Sequence, residues 1–360
     1  MSNSALSRTI AKKSLEIQMS TTSKNYHSKQ VNKIQNKIDG KIKPRGSLGK
    51  LERLAAQIAQ VQLNDNPNKL LSIDCPTICI FAGDHGIAKH QVSIVPSDVT
   101  SLMVNCFLHD QAAINCFVKD TRWELKVIDC GILQDLPAHN KLISARLGRC
   151  CGDISIESAL TNEQLSQAKT NANHLIHSLR SNLIAFGEMG IGNTTSASAI
   201  FAKLFSLDEE EVVGLGTGIN NEQLAKKIEL VKRATKRVKT NEAEAILAEL
   251  GSFEIATMTY SMLSAYQENK LILIDGFIVT AAAALALAII PEIKSNMIFA
   301  HTSKESAHAD ILNRLGVSPL LDLSLCLGEG TGAALCLPLI DAAVNFYNHM
   351  ASFEDLGIDL

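Results

Sequence analysis

The sequence has no Cys-x-x-Cys pair, although it holds nine cysteines. An odd number scattered through apolar stretches, at Cys75 to Cys79, Cys106, Cys116 and Cys336, argues against a disulfide framework and for reduced core residues of a cytoplasmic protein. Adjacent Cys150 and Cys151 lack a nearby His or Cys to complete a ligand set, so no structural metal is expected. Long apolar runs are also missing. The most apolar stretch, Phe277 to Ile290, is too short to span a bilayer and reads as a buried, Ala-rich helix, so no membrane association is expected. The N-terminus lacks the uninterrupted apolar core of a signal peptide, and residues 1–26, rich in Ser, Thr and Lys, read as a flexible basic extension. Neither sign of charge dominates. A formal charge of -3 gives no basic field for nucleic acid, so an anion must be met by a local site. No internal repeat and no long Pro/Gly linker marks a clean boundary.

What is present is a chain of 360 residues, 46% hydrophobic, able to bury a large core. Short β-branched runs at Thr77 to Phe81, Leu125 to Ile128, Leu183 to Phe186, Leu271 to Ile274 and Met297 to Ala300 read as strands. Helical patterns lie between them at Val99 to Val118, Glu163 to Leu179, Thr195 to Phe205, Glu222 to Val238, Glu254 to Ala265, Phe277 to Ile290 and Lys304 to Leu315. This alternation predicts an α/β fold with a parallel sheet covered on both faces. The helices Leu48 to Gln62 and Ala333 to Phe346 stand outside it. The expected organisation is therefore a small helical domain from residues 27–70 and 333–360, and a large α/β domain over 71–332 carrying the site.

In such a sheet, ligands bind where strands end and helices begin. The richest of these junctions is Gly187 to Thr195. Its glycines at 187, 190 and 192 let backbone N–H groups approach an anion, and Thr194 and Thr195 are expected to cap the next helix. No Lys-Ser or Lys-Thr follows the last glycine, so this is not a Walker A loop. The absence of G-x-G-x-x-G after the first strand disfavours a nicotinamide-dependent oxidoreductase. A second glycine loop, Gly214 to Asn220, leads to Lys226 and Lys227. A solvated pair and a phosphate-binding cation fit these lysines equally. In the third, Leu327-Gly328-Glu329-Gly330-Thr331-Gly332, a carboxylate between glycines faces any adjacent cavity, where desolvation would suit it to general-base work. Spacing alone fits an ordinary helix-start carboxylate at least as well. His85, after Asp84, reads as a structural histidine holding a loop. His301 and His308 lie two turns apart and carry no assignment.

Taken in order, Lys43-Pro44-Arg45-Gly46-Ser47-Leu48-Gly49, Phe81 to Gly86, Gly187 to Thr195, Gly216-Thr217-Gly218, Asp275-Gly276-Phe277-Ile278 and Leu327 to Ala333 resemble the nicotinate-nucleotide:dimethylbenzimidazole phosphoribosyltransferase family, from about Val31 to about Ala343. The resemblance implies a Rossmann-like parallel sheet flanked by helices, plus a small helical domain built from the N- and C-terminal segments. It also implies a homodimer and a reaction that needs no metal or other cofactor. The partners it implies are nicotinate mononucleotide and 5,6-dimethylbenzimidazole, joined as α-ribazole 5′-phosphate with release of nicotinate during cobalamin nucleotide loop assembly. By motif, the catalytic base falls on Glu329. The phosphate and ribose contacts fall on Glu188, Gly190, Gly192, Asn193, Thr194, Thr195, Lys227 and Ser303, and contacts of the base on Ser93 and Leu327. The chain departs from the family pattern at Leu102, where a Gln is expected, at Cys326, where an Arg is expected, and at Tyr260, where a glycine is expected. A nicotinate mononucleotide hydrolase and a non-catalytic nucleotide-binding paralogue are the alternatives.

Overall fold

The structure is a computed structural model that describes residues 30–63, 69–216 and 218–358. The expected extension over 1–26 lies outside the described residues. In chain order the helices and strands are α1 (residues 30–39), α2 (Lys50–Gln62), β1 (Thr77–Gly83), α3 (Asp98–Leu108), α4 (Ala113–Val118), β2 (Glu124–Gly131) and β3 (Leu142–Ser144). They continue through α5 (Asn162–Ser178), β4 (Leu183–Met189), α6 (Asn193–Phe205), α7 (Glu209–Val212), α8 (Asn221–Arg237), α9 (Ala243–Leu250) and α10 (Phe253–Gln267). The chain closes with β5 (Leu271–Ile274), α11 (Phe277–Ile289), β6 (Met297–Phe299), α12 (His308–Leu315), α13 (Thr331–Ala334) and α14 (Leu337–His349).

Two compact units result, one taking the chain up to Ser72 and from Leu339 onward, the other Ile73–Pro338. In the first, apolar faces of α1 and α2 bury Ile34, Ile38, Leu54 and Ile58, and the late chain buries Ile340, Ala343 and Tyr347. Both chain ends are tied by backbone hydrogen bonds from Ile42 to Ala351 (3.0 Å) and from Phe353 to Gly40 (2.9 Å). Lys37 sits 4.2 Å over the Tyr347 ring.

The second unit is a six-stranded sheet in the order β3-β2-β1-β4-β5-β6, parallel throughout. The order reverses direction between β1 and β4, which places a crevice at their carboxyl ends. β1 is buried along its whole length, and so are Phe253 to Ala265 of α10 and Phe277 to Ala286 of α11. Such deep burial demands that polar side chains find partners. Thr257, Thr259 and Thr280 donate to carbonyls one turn back, each at 2.8 Å. Tyr260, also buried, has its hydroxyl 3.3 Å from Glu244.

Several expected elements differ. The single helix expected over Val99 to Val118 is two, because Asp110 turns to φ 61° and the Asn115 side chain caps Ala112 N–H (3.1 Å) while donating to Phe107 O (3.0 Å). The helix expected from Lys304 starts at His308. That expected over Ala333 to Phe346 breaks between α13 and α14, where Pro338 has no N–H to give the carbonyl of Ala334. Three-residue β3 and the short helices α7 and α9 carried too little periodicity to be expected.

Candidate functional site

The junctions that the sheet order brings together are those after β1, β4, β5 and β6. Glu188, next to last in β4, lies opposite Phe81 of β1. A cleft above it is lined by Glu188, Gly190, Asn193, Thr194, Ser303 and Leu327 among the expected site residues, together with Ile191, Phe277, His301, Glu305 and Cys326. Gly192, Thr195, Lys227 and Glu329 are not among its lining residues, and Ser93 lies in a neighbouring pocket with Lys89, Cys150 and Gln223. Leu102 is exposed on α3.

The turn after β4 is tight against its neighbours. A Cβ on Gly190 would stand 2.4 Å from Gly83 O, and Gly192 holds φ 101° as the residue before α6. The threonines do not cap that helix, whose N-cap is Gly192 without a side-chain bond. Instead Thr194 Oγ1 accepts from Lys227 Nζ at 2.9 Å, and Thr195 is fully buried with its hydroxyl unpartnered. Of the two lysines, Lys226 is exposed and Lys227 is 1% exposed, its ammonium also donating to Gly214 O at 3.1 Å. Burial pulls Lys227 down to about 8, with Glu305 opposing. It remains a cation at neutral pH, placed behind the first turn of α6.

Two carboxyl groups, Glu188 lining the cleft and Glu329 next to its lining residue Gly328, differ in environment. Burial, with the charge of Asp275, pushes Glu188 up to about 8 although Asn193 Nδ2 donates to it, so Glu188 is protonated at neutral pH. Burial pushes Glu329 only to about 6, opposed by the Ile114 N–H at the start of α4 and assisted by Asp275. Glu329 is 5% exposed, adopts φ 65° between Gly328 and Gly330, both at 84°, and leaves Oε2 without a partner.

Histidines left unassigned in the sequence prove to be organisers. His308 Nδ1 accepts the Ser303 N–H at 2.8 Å and its Nε2 lies 3.0 Å from the Thr280 hydroxyl. Burial, with His301 adding, holds His308 neutral at about 3. Ser303 is thereby fixed at the cleft edge. His85 pairs with Glu254 at 2.8 Å beneath the glycine turn, matching its expected structural role. Burial opposes ionisation of His85, but the charges and hydrogen bonds of Glu254 and Cys151 together hold it well above its usual pKa. Asp275 stood in a motif and both it and His301 follow strands, but their roles, like that of Glu305, depend on what the sheet sets beside them. Among the described residues no group of three or more His, Cys, Asp or Glu is arranged to hold a metal.

A phosphoribosyltransferase family model matches residues 24–358. The nicotinate-nucleotide--dimethylbenzimidazole phosphoribosyltransferase of Shewanella sp. (strain W3-18-1) is 50% identical over 336 residues, 92% of this chain and 95% of that protein. The protein of the same name from Shewanella putrefaciens (strain CN-32 / ATCC BAA-453) is 51% identical over 332 residues, covering 91% and 93%. The crystal structure of CobT from Thermus thermophilus superposes with a TM-score of 0.86 at 34% identity, covering 92% of this chain and 99% of that one.

Proposed function

The chain belongs to the nicotinate-nucleotide:dimethylbenzimidazole phosphoribosyltransferase family, and from that premise we propose how its cleft divides the work of the transfer. The enzyme moves the phosphoribosyl group of nicotinate mononucleotide to 5,6-dimethylbenzimidazole, giving α-ribazole 5′-phosphate and nicotinate in cobalamin nucleotide loop assembly.

The observation that carries the division is geometric: Glu329 leaves a buried Oε2 without a partner in its positive-φ turn, while Glu188 on the cleft wall is engaged by Asn193, and burial pushes the two up unequally, to about 6 and about 8. Groups pushed apart in this way take opposite protonation states at neutral pH. Glu329, ionised, is the base; Glu188, neutral, offers a donor at the cleft wall. One ring nitrogen of the benzimidazole attacks the anomeric carbon while the other gives its proton to the unpartnered Glu329 Oε2. The bond to nicotinate breaks with its electron pair returning to the pyridinium ring, so no acid is needed at the leaving group. Displacement from the opposite face converts a β-nucleotide into an α-nucleotide. The phosphate is held by the turn Gly190, Gly192, Asn193, Thr194 and Thr195, with Lys227 as counter-charge and Ser303 at the edge. Binding so far from the bond being broken positions the sugar for attack. Leu327, in the cleft, and Ser93, in the neighbouring pocket, are the proposed contacts of the base.

The test is to incubate the protein with nicotinate mononucleotide, with and without 5,6-dimethylbenzimidazole, and to separate products by chromatography with mass detection. α-Ribazole phosphate formed only with the base, and lost in Glu329→Gln, is the expected result. Nicotinate released without the base would identify a hydrolase, and intact binding without turnover a non-catalytic paralogue. Homodimerisation is carried over from the resemblance, and a cytoplasmic setting from the scattered cysteines, both as proposals. Among the described residues no helix is long and apolar enough to cross a membrane, and sedimentation measures the dimer directly.

A further inference from the structure

The turn that carries Glu329 has three successive residues at positive φ, of which only the outer two are glycines. An L side chain rarely adopts that conformation, so something outside the turn must hold it. Asp275, directly after β5 and 1% exposed, reaches both sides of the turn's exit: Oδ2 accepts the Gly330 N–H at 3.2 Å and Oδ1 the Ala333 N–H at 2.8 Å. Other faces of the turn are closed by contact. A Cβ on Gly187 would meet the Glu329 carbonyl carbon and the Gly330 nitrogen at 2.7 Å, and one on Gly332 would meet the His301 ring at 2.0 Å. His301 Nε2 lies 3.8 Å from Asp275 Oδ1, too far for a hydrogen bond and close enough to act on its charge. Asp275 is not among the lining residues of the cleft.

We propose that Asp275 is a positioning residue for Glu329: a single buried carboxylate grips the turn at Gly330 and Ala333, fixes the unusual backbone of the base, and sets the field in which the base works. The proposal rests on the reading of Glu329 as the general base. Two carboxyl groups act on Glu329, Glu188 from β4 and Asp275 from β5, while α4 contributes the Ile114 N–H and His301, after β6, acts on Asp275. Of these, the Asp275 charge adds to the upward displacement of Glu329. Replacing it by an amide therefore does two things: it turns a donor toward one of the two N–H groups, and it removes a negative neighbour.

The experiment is a double-mutant cycle on the transfer reaction with Asp275→Asn, Glu329→Gln and the double variant, followed across pH. Asp275→Asn is expected to lower kcat on the order of 10²-fold, the penalty for a displaced catalytic group, with KM for nicotinate mononucleotide changed less than about threefold. The acid limb of its rate profile should move to lower pH. On the Glu329→Gln background the same substitution should change the residual rate less than about threefold. Equal losses on both backgrounds, or an effect on KM alone, would overturn the positioning role while leaving the base intact. A fully active Glu329→Gln is the distinguishable failure of the base reading, and it would take the proposal with it. Because Asp275→Asn risks misfolding, amide hydrogen exchange on the unaltered enzyme supplies an independent check. The Gly330 and Ala333 amides should be strongly protected, and exchange at the rate of a free peptide would refute the clamp.

Discussion

The turn after β4 and the turn before α13 are both glycine-rich, and they use glycine for different ends. In the first, only Gly192 has positive φ; Gly187 and Gly190 are small because other backbone passes where a Cβ would be. In the second, Gly328 and Gly330 adopt positive φ, and Glu329 between them does so too. The first opens a 13-residue helix and offers N–H groups and a buried lysine to an anion; the second opens a four-residue helix and offers a carboxylate. One motif class thus yields a binding end and a proton-handling end, distinguished by which residue the glycines leave free.

The comparison breaks first if the proton-handling end is dispensable. Glu329→Gln should lower kcat by about 10²–10⁴, the usual worth of a general base, with KM for the nucleotide little changed. The same variant should be more stable at pH 7. Glu329 titrates at about 6 when folded against an ordinary 4.5, so its contribution to stability is full below 4.5 and is lost as pH rises through about 6. Removing the charge should restore about 2 kcal/mol at pH 7, at 1.36 kcal/mol per pKa unit, and nothing at pH 4. Thermal unfolding at the two pH values measures it. A less severe probe is Gly187→Ala. Although Gly187 lies in β4, on the way into the binding turn, its new methyl would press on the Glu329 backbone, so kcat should fall by up to about 10²-fold. A change confined to KM would mean that the two turns are not coupled there.

How far the sequence carries depends on whether a feature is local. Five of six strands, the helices between them and the glycine turns follow from periodicity and composition along the chain. The three-residue β3 and the break at Asp110 do not, because one is an edge strand with little pattern and the other is made by the Asn115 side chain folding back. In the site, Glu329 and the turn 187–195 are visible because glycines flag them. The different burial of Glu188 and Glu329, the separation of Lys227 from Lys226, and the grip of Asp275 on Gly330 arise largely from neighbours remote in sequence, such as Asp275 for Glu188, Ile114 for Glu329 and Thr194 for Lys227. Thr195 shows the converse: the motif is visible along the chain, but not that α6 buries its hydroxyl.

A smaller effect tests the binding end. Lys227→Met keeps the buried volume and removes the cation, and should raise KM for the nucleotide by about 10- to 100-fold, corresponding to roughly 1.5–3 kcal/mol for charge-assisted bonds, with kcat at saturation much less affected. A loss in kcat instead would assign chemistry to this end. The pH dependence of kcat/KM should join the two ends in one curve. Its acid limb, near 6, reports Glu329 gaining a proton; its alkaline limb, near 8, reports Lys227 losing its charge and Glu188 its proton. Lys227→Met should leave the acid limb in place.

The smallest effect is expected at Glu305, where the two ends meet the same charge problem. Its carboxyl lies in the cleft against Gly214, so close that a Cβ there would come to 2.1 Å from Oε2. Burial raises its pKa, while Lys227 and the Gly216 N–H counteract that rise. The carboxylate therefore draws on donors that an incoming phosphate needs, and the two negative groups repel. Glu305→Gln keeps the size and removes the charge, so KM for the nucleotide should fall about two- to fivefold, the scale of a partly screened charge pair. Raising salt should shrink the difference. If KM rises instead, Glu305 serves to hold Lys227 in place, and the binding end would depend on a carboxylate as closely as the proton-handling end does.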